Sequence, residues 1–323
     1  MPRLARFAWF VIAWNVFTIL LGAVVRATDS GAGCGRSWPT CQGQLLPALD
    51  GAAAVEFTHR TASGVALALV AALVVAVWRS RPLGHPARRS AAWAGLAIVG
   101  EALIGAAIVL YEWVADDSSV ARAVAVPLHL VNTLLLLAAL TFTAWCLNAE
   151  VVTQFRWRGR SRWWLLVGAA AFFAIAASGA VTALADTLFP SIGGGLTGAE
   201  HFLTRLRVIH PILAAITVAA ALAAIRNSES TVLAPRTRSV GQEPSGKKEW
   251  TARNLVVLTL IQVILGAATI VLGSPLWLRL SHLLVADAIW ISYVWFSVQV
   301  LSSSPASSET DSTGARQRKP VHR

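Results

Sequence analysis

The sequence is poor in charged residues, in acidic residues above all, and in cysteine. Charged side chains make up 13% of its 323 residues, whereas 56% of the residues are hydrophobic and the mean hydropathy is +0.61. That balance excludes an ordinary soluble domain. Three cysteines are too few to build a disulfide scaffold, so their positions carry more information than their number.

The basic residues outnumber the acidic ones and give a net charge of +11. In a soluble protein such a charge would suggest a nucleic-acid partner. Here most of the Lys and Arg residues cluster in the segments between apolar runs, a pattern typical of loops on the cytoplasmic side of a membrane. We therefore predict a multi-pass protein of the cell (plasma) membrane, surrounded by lipid, with both termini in the cytoplasm and no nucleic-acid partner.

Eight apolar segments are each roughly 20 residues long, enough to cross about 30 Å of hydrocarbon. They are Phe7–Ala27, Thr58–Trp78, Ala91–Leu110, Val124–Leu147, Trp163–Leu184, Leu203–Ile225, Leu255–Leu272 and Leu276–Leu301. Tryptophans at the predicted inner ends of several segments match the interfacial position that this residue prefers.

The two halves of the chain resemble each other. The run from Glu101 to Gly105 returns as Gln262 to Gly266, and the Gly-Ala-Val at Gly22 returns at Gly179. Four helices per repeat preserve orientation, so the halves should be parallel repeats. The sequence thus predicts an all-α integral membrane protein of eight transmembrane helices in two parallel pseudo-symmetric four-helix bundles. Residues 1–150 and 151–301 form the halves, and residues 302–323 form a disordered cytoplasmic tail.

Four of the seven histidines follow the repeat and open the even-numbered segments: His59, His129, His210 and His282. All four imidazoles should lie at similar depth near the outer surface. Two imidazoles on facing helices form an axial pair for haem iron. The alternatives are hydrogen bonding between helices, or a zinc site, for which the sequence offers no complete ligand set.

The segment EFTHR places a carboxylate and an imidazole on one helical face, because Glu56 and His59 are three residues apart. We expect Glu56 at the water-side edge, where it could move protons or stabilise a cationic intermediate. Arg60, Arg205 and Arg207 flank the first and third histidines and are candidates for binding haem propionates. Lipid headgroups or loop carbonyls are the alternative partners of these arginines.

The predicted outer loop DSGAGCGRSWPTCQGQ contains two of the three cysteines, Cys34 and Cys41. A location outside the reducing cytoplasm permits a disulfide, and Gly and Pro between the cysteines allow the turn that closure requires. A stable disulfide, a reversible redox pair and two free thiols all stay open.

The cysteine loop, the ExxHR motif and the four histidines together resemble the haem A synthase family over about residues 7–301. This resemblance implies a membrane oxidoreductase that converts the C8 methyl of haem O to a formyl group by successive hydroxylations, supplying haem A to terminal oxidases. It also implies a haem b cofactor at His210 and His282, with substrate bound at His59 and His129 and Glu56 essential. Some members carry a second cysteine pair in the loop that here reads FPSIGGGLTGAEHF, without cysteine.

Two other functions use the same ligands: a dihaem b-type electron carrier, and a haem transporter or chaperone. Against a symmetric carrier, Glu56 has no counterpart three residues before His210, where Arg207 stands. The expected partners are haem O, a haem O synthase that supplies it, an electron donor and a second copy of the chain in a homo-oligomer.

Overall fold

A computed structural model of the chain describes residues 1–45, 47, 50–148, 154–155, 161–189, 202–232 and 246–303. These residues are almost entirely helical. The helices are α1 (Arg3–Ala27), α2 (Gly51–Ser80), α3 (Pro86–Leu110), α4 (Val120–Asn148), α5 (Ser161–Leu188), α6 (Phe202–Arg205), α7 (Ile209–Val232), α8 (Gly246–Val271) and α9 (Leu276–Leu301). A 3₁₀ turn, Leu206–Val208, joins α6 to α7, and two-residue strands β1 (Gln154–Phe155) and β2 (Ser302–Ser303) pair antiparallel.

Seven helices in the described part of the chain are long and apolar enough to cross a membrane: α1 to α5, α8 and α9. Each matches one of the segments predicted from hydropathy, and all but α8 contain the whole segment, since α8 ends at Val271, one residue before the predicted end. The segment predicted as the sixth span is divided among α6, the 3₁₀ turn and α7, and its apolar stretch Leu206–Ala219 is shorter than the others. The described residues therefore form an almost entirely helical membrane protein with seven candidate spans.

The helices begin and end where local sequence chemistry favours it. The Nδ1 of His85 accepts a hydrogen bond from the backbone N–H of Ala87, and Pro86 occupies the first helical position of α3. At the other end of the bundle, Gly273 and Ser274 adopt positive φ angles of 72° and 57° and turn the chain from α8 into α9. Short turns of this kind make α2–α3 and α8–α9 antiparallel neighbours.

The N-terminal half, α1 to α4, is a closed bundle in which each helix packs against two neighbours. In the C-terminal half, α5 packs against α7 and α8 packs against α9, but these two pairs contact each other over few residues. Helix α4 also packs against α5 and α9, so a single apolar core extends from one half into the other. The two halves are thus joined, and they are not packed alike.

Two aromatic side chains of α9 fasten the junction at which α4, α5 and α9 meet, one to α4 of the other half and one to α5 of the same half. The indole N–H of Trp290 donates to the Leu134 carbonyl at 2.7 Å, and the hydroxyl of Tyr293 donates to the Leu165 carbonyl at 2.8 Å. Both rings are nearly inaccessible, with 3% and 4% exposure. Buried Trp and Tyr need such partners, because an unpaired polar atom in an apolar core is costly.

Parts of the segments expected to lack structure are ordered. The Ser-, Pro- and charge-rich sequence from Asn227 to Glu249 predicts disorder, whereas α7 extends to Val232 and α8 begins at Gly246. The first two residues of the predicted disordered tail, Ser302 and Ser303, form β2. The rest of that tail, residues 304–323, and residues 233–245 lie outside the described part of the chain.

A test of the junction uses Gly168, where an added Cβ would lie 2.1 Å from the Tyr293 hydroxyl oxygen. We expect Gly168→Ala to lower the thermal unfolding midpoint in detergent, because the buried ring cannot yield freely. Combining it with Tyr293→Phe should restore part of the loss, since the nearest clashing atom is removed. Additive losses in the double variant would contradict this packing, and Gly64→Ala, with nothing within 4 Å, is the control.

Candidate functional site

The four repeat-related histidines lie at one end of the bundle, which we call the disulfide end because the Cys34–Cys41 loop covers it. His59, His129, His210 and His282 occupy the first three turns of α2, α4, α7 and α9. These four helices run in the same direction, so their starts share one end. Each imidazole is partly buried.

Each imidazole packs against a glycine on the preceding long helix. A Cβ at Gly22 or Gly179 would lie 2.9 Å from the Cε1 of His59 or His210. The corresponding distances are 3.2 Å from Gly266 to His282 and 3.8 Å from Gly105 to His129. The glycines are the ones that mark the sequence repeat. A larger residue at Gly22, Gly179 or Gly266 would displace the ring, so these positions fix where the imidazoles lie.

The histidines come together in two pairs, one in each half. His59 lies within electrostatic range of His129, and His282 lies within range of His210. No group of three or more His, Cys, Asp or Glu side chains assembles in the described residues. A four-ligand zinc site therefore has no ligand set there. A low-spin haem, which takes two axial donors, fits the paired imidazoles. Nδ1 of His59 and Nδ1 of His282 are buried without a hydrogen-bond partner in the described residues.

Polar side chains from the neighbouring helices contact three of the imidazoles. Nδ1 of His129 lies 2.7 Å from Oε2 of Glu101, and Nε2 of His282 lies 3.2 Å from Nε2 of Gln262. Nδ1 of His210 lies 3.1 Å from the Ser178 hydroxyl. Sequence reasoning did not identify these partners. The signal was present, because Glu101 and Gln262 open the repeated motif and stand four residues before its glycine.

The structure buries Glu56, so the expectation that this carboxylate lies at the water-side edge is wrong. It is only 3% exposed. Its Oε2 accepts a 2.7 Å hydrogen bond from the Cys34 backbone N–H, and its Oε1 accepts from Nε and Nη2 of Arg60 at 3.1 and 2.5 Å. The cysteine loop folds over the start of α2 and covers the carboxylate, whose partners are the Arg60 guanidinium and a backbone N–H of the loop. His59 lies one turn further into the bundle.

Arg60 ties the same loop to α2. Besides Glu56, its guanidinium donates to the carbonyls of Ser37 and Thr40, both within the disulfide-closed segment. Each nitrogen of the Arg60 guanidinium therefore donates to a protein oxygen, and the side chain is 10% exposed. Loop carbonyls were one of the two alternatives that the sequence left for this residue.

The two arginines that the sequence predicted near His210 have different surroundings. Arg207 pairs with Asp186, with Nε 3.0 Å from Oδ1, and donates to the carbonyls of Ala185 and Phe189. It thereby ties the segment before His210 to the end of α5. Arg205 is exposed. Propionate binding by Arg60, Arg205 and Arg207 stays a prediction.

Cys34 and Cys41 are joined by a disulfide, which excludes two free thiols and agrees with either a stable bond or a reversible redox pair. Both cysteines are fully buried, with 0% exposure, and pack with Ala53 and Phe57 of α2. The third cysteine, Cys146, is free and buried near the opposite end of the bundle. The bond shapes the loop whose backbone N–H binds Glu56.

The fold and the site define a class: an all-helical membrane protein with two pairs of histidines near one face. Residues 5–54 and 50–294 match the family described as cytochrome oxidase assembly protein. Proteins named haem A synthase are among the relatives. The chain belongs to this family, the haem A synthase family.

Three relatives illustrate the extent of the likeness. A protoheme IX farnesyltransferase of Thermus thermophilus is 42% identical over 306 residues, 93% of this chain and 48% of the relative. The haem A synthase of Lysinibacillus sphaericus is 38% identical over 140 residues, 42% of this chain and 44% of the relative. That of Symbiobacterium thermophilum is 43% identical over 95 residues, 29% and 31% of the two chains. Each match thus spans about half of the relative or less.

The burial of Glu56 predicts a structural effect. We expect Glu56→Gln to lower the free energy of unfolding by about 2 kcal/mol, as for hydrogen bonds to charged groups, because Arg60 loses its charged partner. The matched control is Glu112→Gln, since Glu112 is 60% exposed and 3.8 Å from Arg36. That change should cost less than about 0.5 kcal/mol. Unfolding in mixed micelles measures both, and equal losses would contradict the burial of Glu56.

The Cys34–Cys41 disulfide predicts which of the three cysteines iodoacetamide can alkylate. Denatured protein kept from reductants should be alkylated at Cys146 alone, because a disulfide sulfur does not react with iodoacetamide. Peptide mass spectrometry should find Cys34 and Cys41 cross-linked, and all three cysteines should be labelled after reduction. Full alkylation of all three without a reductant would show that the bond is absent.

Proposed function

We propose that this chain is a membrane oxidoreductase that converts the C8 methyl of haem O to the formyl group of haem A, which terminal oxidases use. The observation that supports it best is the geometry of the disulfide end. One histidine pair lies in each half, and the buried carboxylate of Glu56 stands beside the pair of the N-terminal half. Membership of the haem A synthase family supports the same reaction.

The proposal includes an arrangement in the membrane. Residues 202–232 form the eighth span, and the two four-helix halves are parallel repeats. The Gly–His contacts support this, since each half contains two of them in the same order. The clustered basic residues place both termini on the cytoplasmic side of the plasma membrane. The disulfide end then faces outward, where a disulfide is stable.

His210 and His282 would hold a resident haem b, and His59 and His129 would hold the substrate haem. Bound there, the iron of the cofactor supplies the one-electron chemistry that amino-acid side chains lack. The chain would provide the imidazoles that bind the iron, and these rings lie against Gly179 and Gly266 in one half and against Gly22 and Gly105 in the other. It also provides an apolar setting that limits access of water.

Conversion of a methyl to a formyl group passes through an alcohol and a hydrated aldehyde that loses water. The overall half-reaction adds one oxygen atom: R–CH₃ and H₂O give R–CHO, four protons and four electrons. With water as the oxygen source, an external electron acceptor must take up the four electrons and a base must take up protons. The electron donor expected from the sequence would be required if O₂ supplied the oxygen atom instead. Glu56 is placed for the second task, because its Oε2 accepts only the Cys34 N–H and keeps a lone pair. The same charge would stabilise a cation at the methyl carbon.

The name of the Thermus relative raises prenyl transfer as a second reaction. Transfer from a prenyl diphosphate requires carboxylates that bind Mg²⁺ beside the phosphates. The described residues bring no such acidic group together. The matched region is also less than half of that relative. We therefore favour oxidation.

The deciding experiment extracts haems from membranes with and without this chain, in cells that make haem O. Oxidation predicts haem A only when the chain is present. An electron carrier would leave haem O unchanged, a transporter would bind haem O without oxidising it, and a prenyl transferase would form haem O from haem b. Any of these three outcomes would overturn the proposal.

Glu56→Gln should reduce haem A formation about 10²–10⁴-fold, the contribution typical of a proton-transfer group. Because this change also lowers stability, the rate is normalised to folded protein measured by its haem b content. Haem O or a partly oxidised haem should accumulate. Haem A formed at the wild-type rate per folded molecule would remove Glu56 from the reaction.

His210→Ala and His282→Ala should each remove most of the low-spin haem b absorption of the purified protein, because either change removes one axial donor. His85→Ala is the matched control, since His85 caps α3 at the opposite end. Wild-type spectra in both site variants would contradict the assignment of the cofactor.

A further inference from the structure

The partner of His129 is a carboxylate held in a fixed orientation. Glu101 accepts hydrogen bonds at Oε1 from Asn132 Nδ2 at 2.7 Å and from Thr133 Oγ1 at 3.0 Å. Its Oε2 faces His129 Nδ1 at 2.7 Å. Both donors follow His129 on α4, at the next turn of the helix. This contact leaves Nε2 of His129 available to iron.

The equivalent partner in the C-terminal half is a neutral amide. Nε2 of Gln262 lies 3.2 Å from Nε2 of His282, whereas Glu101 faces Nδ1 of His129. Nδ1 of His282 and Oε1 of Gln262 are both buried without a partner, so no carboxylate of the described residues supports Nδ1 of His282. Three and four residues after His282 stand Val285 and Ala286, which can donate no side-chain hydrogen bond. A carboxylate at position 262 would therefore lack the support that Asn132 and Thr133 give Glu101.

We infer that Glu101 is a positioning residue that makes the imidazole of His129 a more strongly donating iron ligand than the imidazole of His282. It thereby gives a haem in the N-terminal half a lower midpoint potential than the haem in the C-terminal half. This inference rests on the proposed function and deepens it, because it sets the direction in which electrons leave the substrate site.

The physical reason is the difference between the two acceptors. A carboxylate that accepts from the Nδ1–H of a ligating imidazole fixes its tautomer and raises its basicity. Stronger donation stabilises the ferric state and lowers the potential. An amide oxygen is a weaker acceptor than a carboxylate, so Gln262 polarises His282 less, even when the amide is turned to present its oxygen.

The test uses the full chain in lipid nanodiscs, loaded with haem b at both sites and titrated by spectroelectrochemistry. His59→Ala identifies the component of the N-terminal half by its loss, and His282→Ala identifies the other. Glu101→Gln should raise the midpoint potential of the first component and leave the second unchanged. It should also shift the low-spin ferric electron paramagnetic resonance signal of that component.

Gln262 occupies the position in the repeat that matches Glu101, so the opposite exchange can be made there. Gln262→Glu should lower the potential of the second component alone. Thr133→Val is nearly isosteric and removes one hydrogen-bond donor from Oε1 of Glu101. Glu101 then becomes a stronger acceptor for His129, so the midpoint potential of the first component should fall. This shift is opposite to the one expected for Glu101→Gln. This second variant keeps the inference testable if Glu101→Gln does not fold.

Two failures are distinguishable. Unchanged potentials in Glu101→Gln and Thr133→Val, with both wild-type components present, overturn the role of Glu101 and leave the proposed function standing. A wild-type protein without components that depend on His59 and His282 overturns the proposed function, and this inference with it.

Discussion

The contact between a glycine and an imidazole, repeated four times, is the constraint on which the rest of the site depends. Within a membrane the helices gain little from the hydrophobic effect when they associate, so close approach at small residues decides how they pack. Here the small residue of one helix receives the polar ring of the next. A Cβ at Gly22 or Gly179 would come within 2.9 Å of that ring. The same glycines therefore determine both how closely the helices pack and where the imidazoles lie.

The two halves share this constraint and differ in what surrounds it. In the N-terminal half, Glu101 faces His129, and Glu56 with Arg60 binds the disulfide loop one turn outward of His59. In the C-terminal half, a neutral Gln262 takes the place of Glu101, and an Arg207–Asp186 pair lies near His210. Two similar histidine pairs thus lie in different electrostatic surroundings, as the proposal of separate substrate and cofactor sites expects.

Much of the fold followed from the sequence, because hydropathy and length determine which segments can cross a membrane. The histidine pairs followed from the repeat. The buried state of Glu56 did not, since it depends on a loop that folds back over α2 through the backbone N–H of Cys34. Periodicity along one helix contains no information about such a contact. Glu101 was missed for a related reason: its partner lies on another helix, although the repeat had already marked both residues.

The central claim, that paired histidines backed by glycines ligate haem, is tested most directly by electron cryo-microscopy of the full chain purified from cells that make haem. The account predicts density for a planar group between α7 and α9, with its metal between the imidazoles of His210 and His282. Density in which these two rings contact only protein or lipid, in a preparation saturated with haem, would contradict it.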